Sequence, residues 1–306
     1  MNGGWIMVKK IGVLTSGGDA PGMNAAINGI VDEARNHEIE VRGYLEGYNG
    51  LIDNDYIELT PENVKLHIGR GGTFLGTARS ERFLKESYQK EVVERLDGEN
   101  VDGLIVIGGD GSFLGAGKLS EFGLLTIGIP ATIDNDIVGT ELSLGFNTAV
   151  QNVVETVDDI MLSAASHQHL YAIEVMGRRT GNIAEKAGRA LDADGIIATY
   201  EDFDVQEVER TIKASQDMGK RYQLFIIAEG AMPADDFRKI VERETDYEIH
   251  SLVLGHIQRG GNPIAEDRIL GMDFGETAVK ELLDGVTGKF LAVKDNEIVE
   301  DEMPGA

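Results

Sequence analysis

The chain has 306 residues, no cysteine, 39 glycines and 42% hydrophobic content, enough for one large core or two smaller ones without disulfides. Lys plus Arg number 28 against 53 Asp plus Glu, and the resulting net charge of -25 disfavours nucleic acid and anionic membranes as partners. No apolar run approaches the roughly 20 residues that cross a bilayer, and Met1-Asn2-Gly3-Gly4-Trp5-Ile6 is too short for a signal-peptide core, so a cytoplasmic protein is expected.

β-Branched apolar runs recur at Ile11 to Leu14, Gly103 to Ile107, Leu125 to Ile129, Leu170 to Val175, Ile196 to Ala198, Leu224 to Ala228 and Leu252 to Leu254. Helical patterns fill the intervals, which predicts an α/β fold of parallel sheets covered by helices. The first run leads into Thr15-Ser16-Gly17-Gly18-Asp19-Ala20-Pro21-Gly22-Met23-Asn24 and a helix with Ala26, Ile27, Ile30 and Val31 on one side. Strand, glycine turn and helix in that order make an anion cradle. Val150, Val153, Val154, Val157, Ile160 and Met161 predict a long helix bridging into a second α/β unit. Gly260-Gly261-Asn262-Pro263 marks a return before another helix, Glu266 to Leu283. The predicted domains are therefore 1–145, completed by 258–306, and 146–257; no internal repeat is visible.

Two acidic turns stand at successive strand ends: Gly108-Gly109-Asp110-Gly111-Ser112 and Thr132-Ile133-Asp134-Asn135-Asp136. A polyphosphate repels a lone carboxylate unless that carboxylate holds magnesium or takes a proton from an attacking hydroxyl, so the pair points to a metal–phosphate site. The surplus of acid means that local groups must reverse the potential there. Gly69-Arg70-Gly71-Gly72-Thr73-Phe74-Leu75-Gly76-Thr77-Ala78-Arg79-Ser80 supplies two arginines among close-approach glycines, and Met176-Gly177-Arg178-Arg179 supplies two more at a strand end. Leu254-Gly255-His256-Ile257-Gln258-Arg259-Gly260-Gly261 offers several donors for a polyol phosphate. Ser166-His167-Gln168-His169 has no third ligand near it in sequence, and zinc is not expected.

Together, from about Val8 to Leu291, these motifs resemble the ATP-dependent 6-phosphofructokinases of bacterial type, in the family's order and at matching intervals. The resemblance implies two α/β domains with the active site in the cleft between them, MgATP and fructose 6-phosphate as substrates, and fructose 1,6-bisphosphate and ADP as products. By the same resemblance Asp134 is the base for the sugar 1-hydroxyl, Asp136 supports it, and Asp110 engages Mg2+. Gly18, Tyr48, Arg79, Ser80, Gly109, Asp110, Gly111 and Ser112 match ATP contacts, with Arg79 and Arg178 on the transferring phosphoryl group. Thr132, Ile133, Met176, Gly177, Glu229, His256, Ile257, Gln258 and Arg259 match sugar-phosphate contacts. Pyrophosphate-using relatives carry an aspartate and a lysine where this chain has Gly111 and Ala131, so ATP is the expected donor. A homotetramer built from dimers is the implied assembly.

The chain departs from the family at several places. His169 and His250 occupy positions where relatives extend arginines across a subunit interface to the sugar's 6-phosphate. Imidazole, with a reference pKa near 6.5, is charged only part of the time at neutral pH. Weak fructose 6-phosphate binding that improves towards pH ~6 is expected. Asn28, Asp32, Pro61, Met161 and Met218, with Lys220 alone remaining basic, stand where relatives hold ADP or phosphoenolpyruvate, and no ordinary response to those effectors is expected. Met7 is the family-like start, and the carboxy-terminal Asp301-Glu302-Met303-Pro304-Gly305-Ala306 is short beside the family's. Two other readings are a kinase of a different sugar phosphate and a catalytically weak regulatory homologue. Kinases of NAD or lipids share GGDG but do not account for TIDND, MGR and HIQRGG together.

Overall fold

The computed structural model describes residues 8–167 and 169–303. The readings of Trp5 and Met7, of the side chains of Ser166 and His167, of Gln168 and of the last three residues lie outside what is described. The chain forms two compact units.

The first unit runs β1 (Lys10–Thr15), α1 (Met23–Asn36), β2 (Glu40–Tyr44), α2 (Tyr48–Asp53), β3 (Tyr56–Leu59), α3 (Pro61–Val64), α4 (Glu86–Gly98), β4 (Gly103–Gly108), α5 (Asp110–Glu121) and β5 (Leu125–Pro130). The second contains α6 (Phe146–His167), β6 (Leu170–Val175), α7 (Asn182–Ala190), β7 (Gly195–Ile197), α8 (Val205–Asp217), β8 (Gln223–Ala228), α9 (Ala234–Glu244) and β9 (Ile249–Val253). The chain then returns to the first unit through α10 (Ala265–Leu283), β10 (Lys289–Lys294) and β11 (Glu297–Glu302).

The units divide differently from the predicted 1–145, 146–257 and 258–306. Ile133–Asp136 belongs to the second unit, and the return falls at Asn262. The side chains of Thr180 and Asn182 explain the first difference, since both bind backbone carbonyls of the 133–136 turn.

Among the described residues the first unit holds a seven-stranded sheet in the order β11-β10-β5-β4-β1-β2-β3. Its strands β1, β2, β4, β5 and β10 pair in parallel, whereas β3 and β11 run antiparallel at the two edges. The expected helix-covered parallel sheet is present, with one antiparallel strand added at each edge. At one edge the reason is local: Asp295 and Asn296 take φ of 53° and 63°, the left-handed pair of a tight hairpin, and a hairpin can only join antiparallel strands. Apolar side chains from the sheet, including Leu14, Tyr44, Leu104, Val106 and Phe290, are buried against Phe113 and Ala116 of α5 and Val92 and Leu96 of α4.

On the other face α1 and α10 cross in backbone contact. A Cβ at Gly29 would lie 2.3 Å from the Met272 carbonyl oxygen, and one at Gly275 would lie 2.3 Å from that of Ala26. The returning helix is thereby clamped onto the helix that opens from the first glycine turn.

The second unit carries a four-stranded parallel sheet, β7-β8-β6-β9. Its edge strand β9 is centred earlier than the predicted Leu252 to Leu254 run. Leu252 and Val253 are 36% and 64% exposed, so that apolar run belongs to an open sheet edge.

Candidate functional site

In an open parallel sheet, ligand groups gather beyond the carboxyl ends of strands, at the point where the chain turns from one side of the sheet to the other. In the first unit that point lies between β1 and β4, because β1 continues to β2 on one side and meets β4 on the other. The turn after β1 (Ser16 to Asp19) and the turn after β4 (Gly109 to Gly111) therefore abut. The Ser16 N–H donates to the Ile107 carbonyl at 3.0 Å, and a Cβ at Gly108 would lie 2.5 Å from the Ser16 carbonyl oxygen. Only glycine permits that approach.

Gly18, Asp110 and Gly111 are exposed, and Asp110 heads the 12-residue helix α5. The first-turn N–H groups of a helix lack intrahelical partners and carry the positive end of its dipole, so this is a place for phosphate oxygens beside a carboxylate. A Cβ at Gly111 would have nothing within 4 Å, which leaves open space above the helix end. The arginine loop reaches the same end of the sheet: the Leu75 carbonyl accepts the Glu46 N–H at 2.8 Å. Arg79 is exposed on this loop, and the Ser80 hydroxyl accepts the Phe83 N–H at 3.3 Å.

Two sequence-predicted ATP contacts, Tyr48 and Ser112, carry structural work. Tyr48 is 5% exposed, stacks on Phe83 with centroids 4.0 Å apart, and donates its hydroxyl to the Ser112 carbonyl at 2.6 Å. It supports α5 from behind, and burial raises its phenol pKa so that it stays neutral. Ser112 is itself 4% exposed, packed under the turn at Gly108.

In the second unit the ends of β6, β8 and β9 lie side by side and deliver Met176-Gly177-Arg178, Glu229 and the 254–261 segment. The Arg178 N–H donates to Glu229 Oε1 at 2.9 Å, with Arg178 held at φ 53°. A left-handed conformation is costly for arginine and is retained here by the fixed loop around it. Its guanidinium Nε lies 3.6 Å from Asp134 Oδ2 while the side chain stays half exposed.

Asp134 is 1% exposed. Its carboxyl is pushed above the ordinary carboxylate range, first by burial and then by the charge of Asp136, while Arg259 and Arg178 pull the other way. A carboxylate raised this way is a proton acceptor with two cations and two further acids, Asp136 and Glu229, in its field. The turn that carries it is fixed by residues the motif reading missed. The Thr180 hydroxyl and the Asn182 amide donate to the Asp134 carbonyl at 3.0 and 3.3 Å, and Asn182 also reaches the Asn135 carbonyl at 2.9 Å. Both follow the MGR motif within four residues, but a lone polar side chain there carries no sequence signal.

Gln258, expected on the sugar phosphate, is fully buried: its Oε1 accepts the Met176 N–H at 3.0 Å and its Nε2 donates to the Gly255 carbonyl at 2.9 Å. It is a strut between strand ends. Ile133 has its side chain in the core, so it can offer a ligand only backbone, whereas His256 and Ile257 are exposed and Met176 is half-buried above buried Gly177. Thr132, the last residue of the first unit before this turn, accepts the Ser143 hydroxyl on its carbonyl at 2.7 Å.

His169, just ahead of β6, meets His250 of the adjacent β9 with ring centroids 4.2 Å apart, and Tyr171 lies 5.3 Å from His250. The two imidazoles border a cavity of about 200 Å³ that Asp246 and Glu248 also line. Of the residues at the expected effector positions, Asn28 donates to Asp32 at 2.8 Å, Lys220 pairs with Asp194 at 3.0 Å, and Met161 is buried.

The family model for phosphofructokinase matches residues 10–282. The chain belongs to the phosphofructokinase family. It is 45% identical over 296 residues to an ATP-dependent 6-phosphofructokinase of Bacillus velezensis, covering 97% of this chain and 93% of that one. A namesake from Oceanobacillus iheyensis is 44% identical over 293 residues, 96% of this chain and 92% of that one. Among solved structures, phosphofructokinase from Saccharomyces cerevisiae superposes with a TM-score of 0.90 at 31% identity, covering 96% of this chain and 45% of the yeast chain. A pyrophosphate-dependent phosphofructokinase from Marinobacter aquaeolei shares the fold, with a TM-score of 0.86 at 22% identity over 97% of this chain and 83% of that one. Among the described residues no helix is long and apolar enough to cross a membrane.

Proposed function

We propose that this phosphofructokinase-family chain transfers the γ-phosphoryl group of ATP to the 1-hydroxyl of fructose 6-phosphate, giving fructose 1,6-bisphosphate and ADP. The observation that carries the reading is Asp134, a buried carboxylate with a raised pKa beside Arg178 and Arg259. Phosphoryl transfer needs in-line placement, charge neutralisation and one proton acceptor, with no covalent intermediate. Asp134 takes the proton of the attacking hydroxyl and Asp136 keeps its affinity for that proton high. Arg178 and Arg79 stabilise the charge that spreads over the transferring group. Gly18, Gly109 and Gly111 bring backbone close to the nucleotide's phosphates. Glu229, His256 and Arg259 hold the sugar phosphate.

Magnesium fits Asp110. Mg2+ commonly binds through one or two carboxylates together with phosphate oxygens and water. Asp110 is one exposed carboxylate at a phosphate-ready helix end, and among the described residues no cluster of three metal-ligating side chains competes for the ion. When bound, the ion would neutralise phosphate charge and orient the leaving group.

The test is a coupled assay of the purified chain with MgATP and a panel of sugar phosphates. Turnover with fructose 6-phosphate above the others supports the reading, and background rates throughout would favour a regulatory homologue. His169 and His250 supply a weaker grip on a phosphate than two arginines would, so the double substitution His169→Arg, His250→Arg is expected to lower KM for fructose 6-phosphate. An unchanged KM removes that role.

We assign a homotetramer built from dimers, in the cytoplasm. The open edge of β9 and the exposed Leu162 of α6 supply apolar surface for assembly, and light scattering of the purified chain measures its mass.

A further inference from the structure

Three threonine hydroxyls in the first unit join the arginine loop to the first glycine turn. Thr15, the fully buried last residue of β1, donates its hydroxyl to the Gly76 carbonyl at 2.8 Å. Its single proton is thereby used, so the 2.9 Å contact with the Thr73 hydroxyl has Thr73 as donor. Further along the same loop the Thr77 hydroxyl donates to the Gly17 carbonyl at 2.8 Å.

The Thr77 bond has the farthest-reaching geometry. Gly17 sits at φ 92°, open to glycine and strained for other residues, so its following peptide plane is set by what its carbonyl binds. In a planar trans peptide the carbonyl of Gly17 and the N–H of Gly18 point in opposite directions. Holding the Gly17 oxygen therefore aims the exposed Gly18 N–H away from the arginine loop's attachment point. Two residues beyond Thr77 the same loop presents exposed Arg79. One hydroxyl thus ties the turn that bears the Gly18 N–H to the loop that bears Arg79.

We infer that Thr77 is a positioning residue for the polyphosphate of ATP, acting through Gly18 and Arg79, with Thr15 and Thr73 bracing the loop. The inference rests on the proposed use of ATP. Thr77 touches no reacting atom in this scheme. Valine at 77 keeps the branched shape and removes the hydroxyl, whereas serine keeps the hydroxyl.

The experiment measures steady-state kinetics of the full chain as wild type, Thr77→Val and Thr77→Ser, together with calorimetric binding of ATP. A neutral hydrogen bond lost at this point corresponds to about a 5- to 10-fold fall in kcat/KM for ATP. Thr77→Val is expected to show that fall while KM for fructose 6-phosphate stays within about twofold of wild type, and Thr77→Ser is expected to restore wild-type values within about twofold. Unchanged kcat/KM for ATP in Thr77→Val would overturn the inference. So would a Ser variant as weak as the Val variant, or an equal loss for both substrates, which would indicate general loosening. Should the Val variant not fold, Thr77→Ala takes its place against Ser. A wild-type chain without turnover would fault the activity reading instead; ATP binding that weakens in Thr77→Val but not Thr77→Ser would still uphold the role of Thr77.

Discussion

Asp134 shows why the reacting residue and the stabilising residue are different things. Its folded-state pKa is raised chiefly by burial. An acid shifted upward favours the folded state fully below its unfolded pKa, and that contribution is lost as pH rises through the folded value. At neutral pH the ionised carboxylate therefore costs stability, which catalysis needs and folding does not. Asp134→Asn is expected to lower kcat by about 100-fold or more, to leave ATP binding largely intact, and to hold or raise Tm; a fully active variant would contradict the assignment. The acid limb of kcat reports the same group. Removing the neighbouring charge with Asp136→Asn moves that limb to lower pH, because Asp136 is the second cause of the upward shift. A limb that stays in place or moves upward would detach it from Asp134.

At the scale of elements, the contact between α1 and α10 fixes the start of α1, where the glycine turn ends. Helices usually pack 8–10 Å apart through side chains, but Gly29 and Gly275 bring these two into backbone contact, each facing a carbonyl oxygen at 2.3 Å from an added Cβ. Backbone cannot rotate aside as a side chain can. Gly275→Ala is expected to cost about 1–3 kcal/mol or more and to lower Tm by several degrees, whereas Gly98→Ala, with nothing within 4 Å of the new Cβ, is expected to leave Tm unchanged or slightly higher. Equal effects of the two substitutions would mean that the helices separate more readily than their contact implies.

For the whole molecule, the net charge of -25 governs the response to salt. Many ion pairs, such as Lys90–Glu86, Lys213–Glu209 and Lys239–Asp235, join exposed groups, and such pairs contribute about 0–1 kcal/mol each. Mutual repulsion of the surplus carboxylates is spread over the entire surface and is screened as the Debye length shrinks from about 10 Å at 0.1 M to about 3 Å at 1 M. Repulsion should dominate, so Tm rises with added sodium chloride over that range. A falling Tm would show that the ion pairs outweigh the surplus.

The sequence by itself determined the alternation of strands and helices, because buried parallel strands must be apolar throughout, and the runs at Gly103 to Ile107 and Leu170 to Val175 coincide with β4 and β6. It also exposed the glycine turns and the TIDND segment, since carboxylates among glycines at strand ends have few structural uses. Short or edge strands such as β2, β3 and β11 escaped, their alternation being too brief or too polar to register. Tertiary structure alone decided that Tyr48 and Gln258 are buried supports, that 133–136 travels with the second unit, and that Thr77 reaches Gly17 across 60 residues. Burial and hydrogen-bond partners are set by which chain segments meet, and a motif read along one segment carries no record of the other.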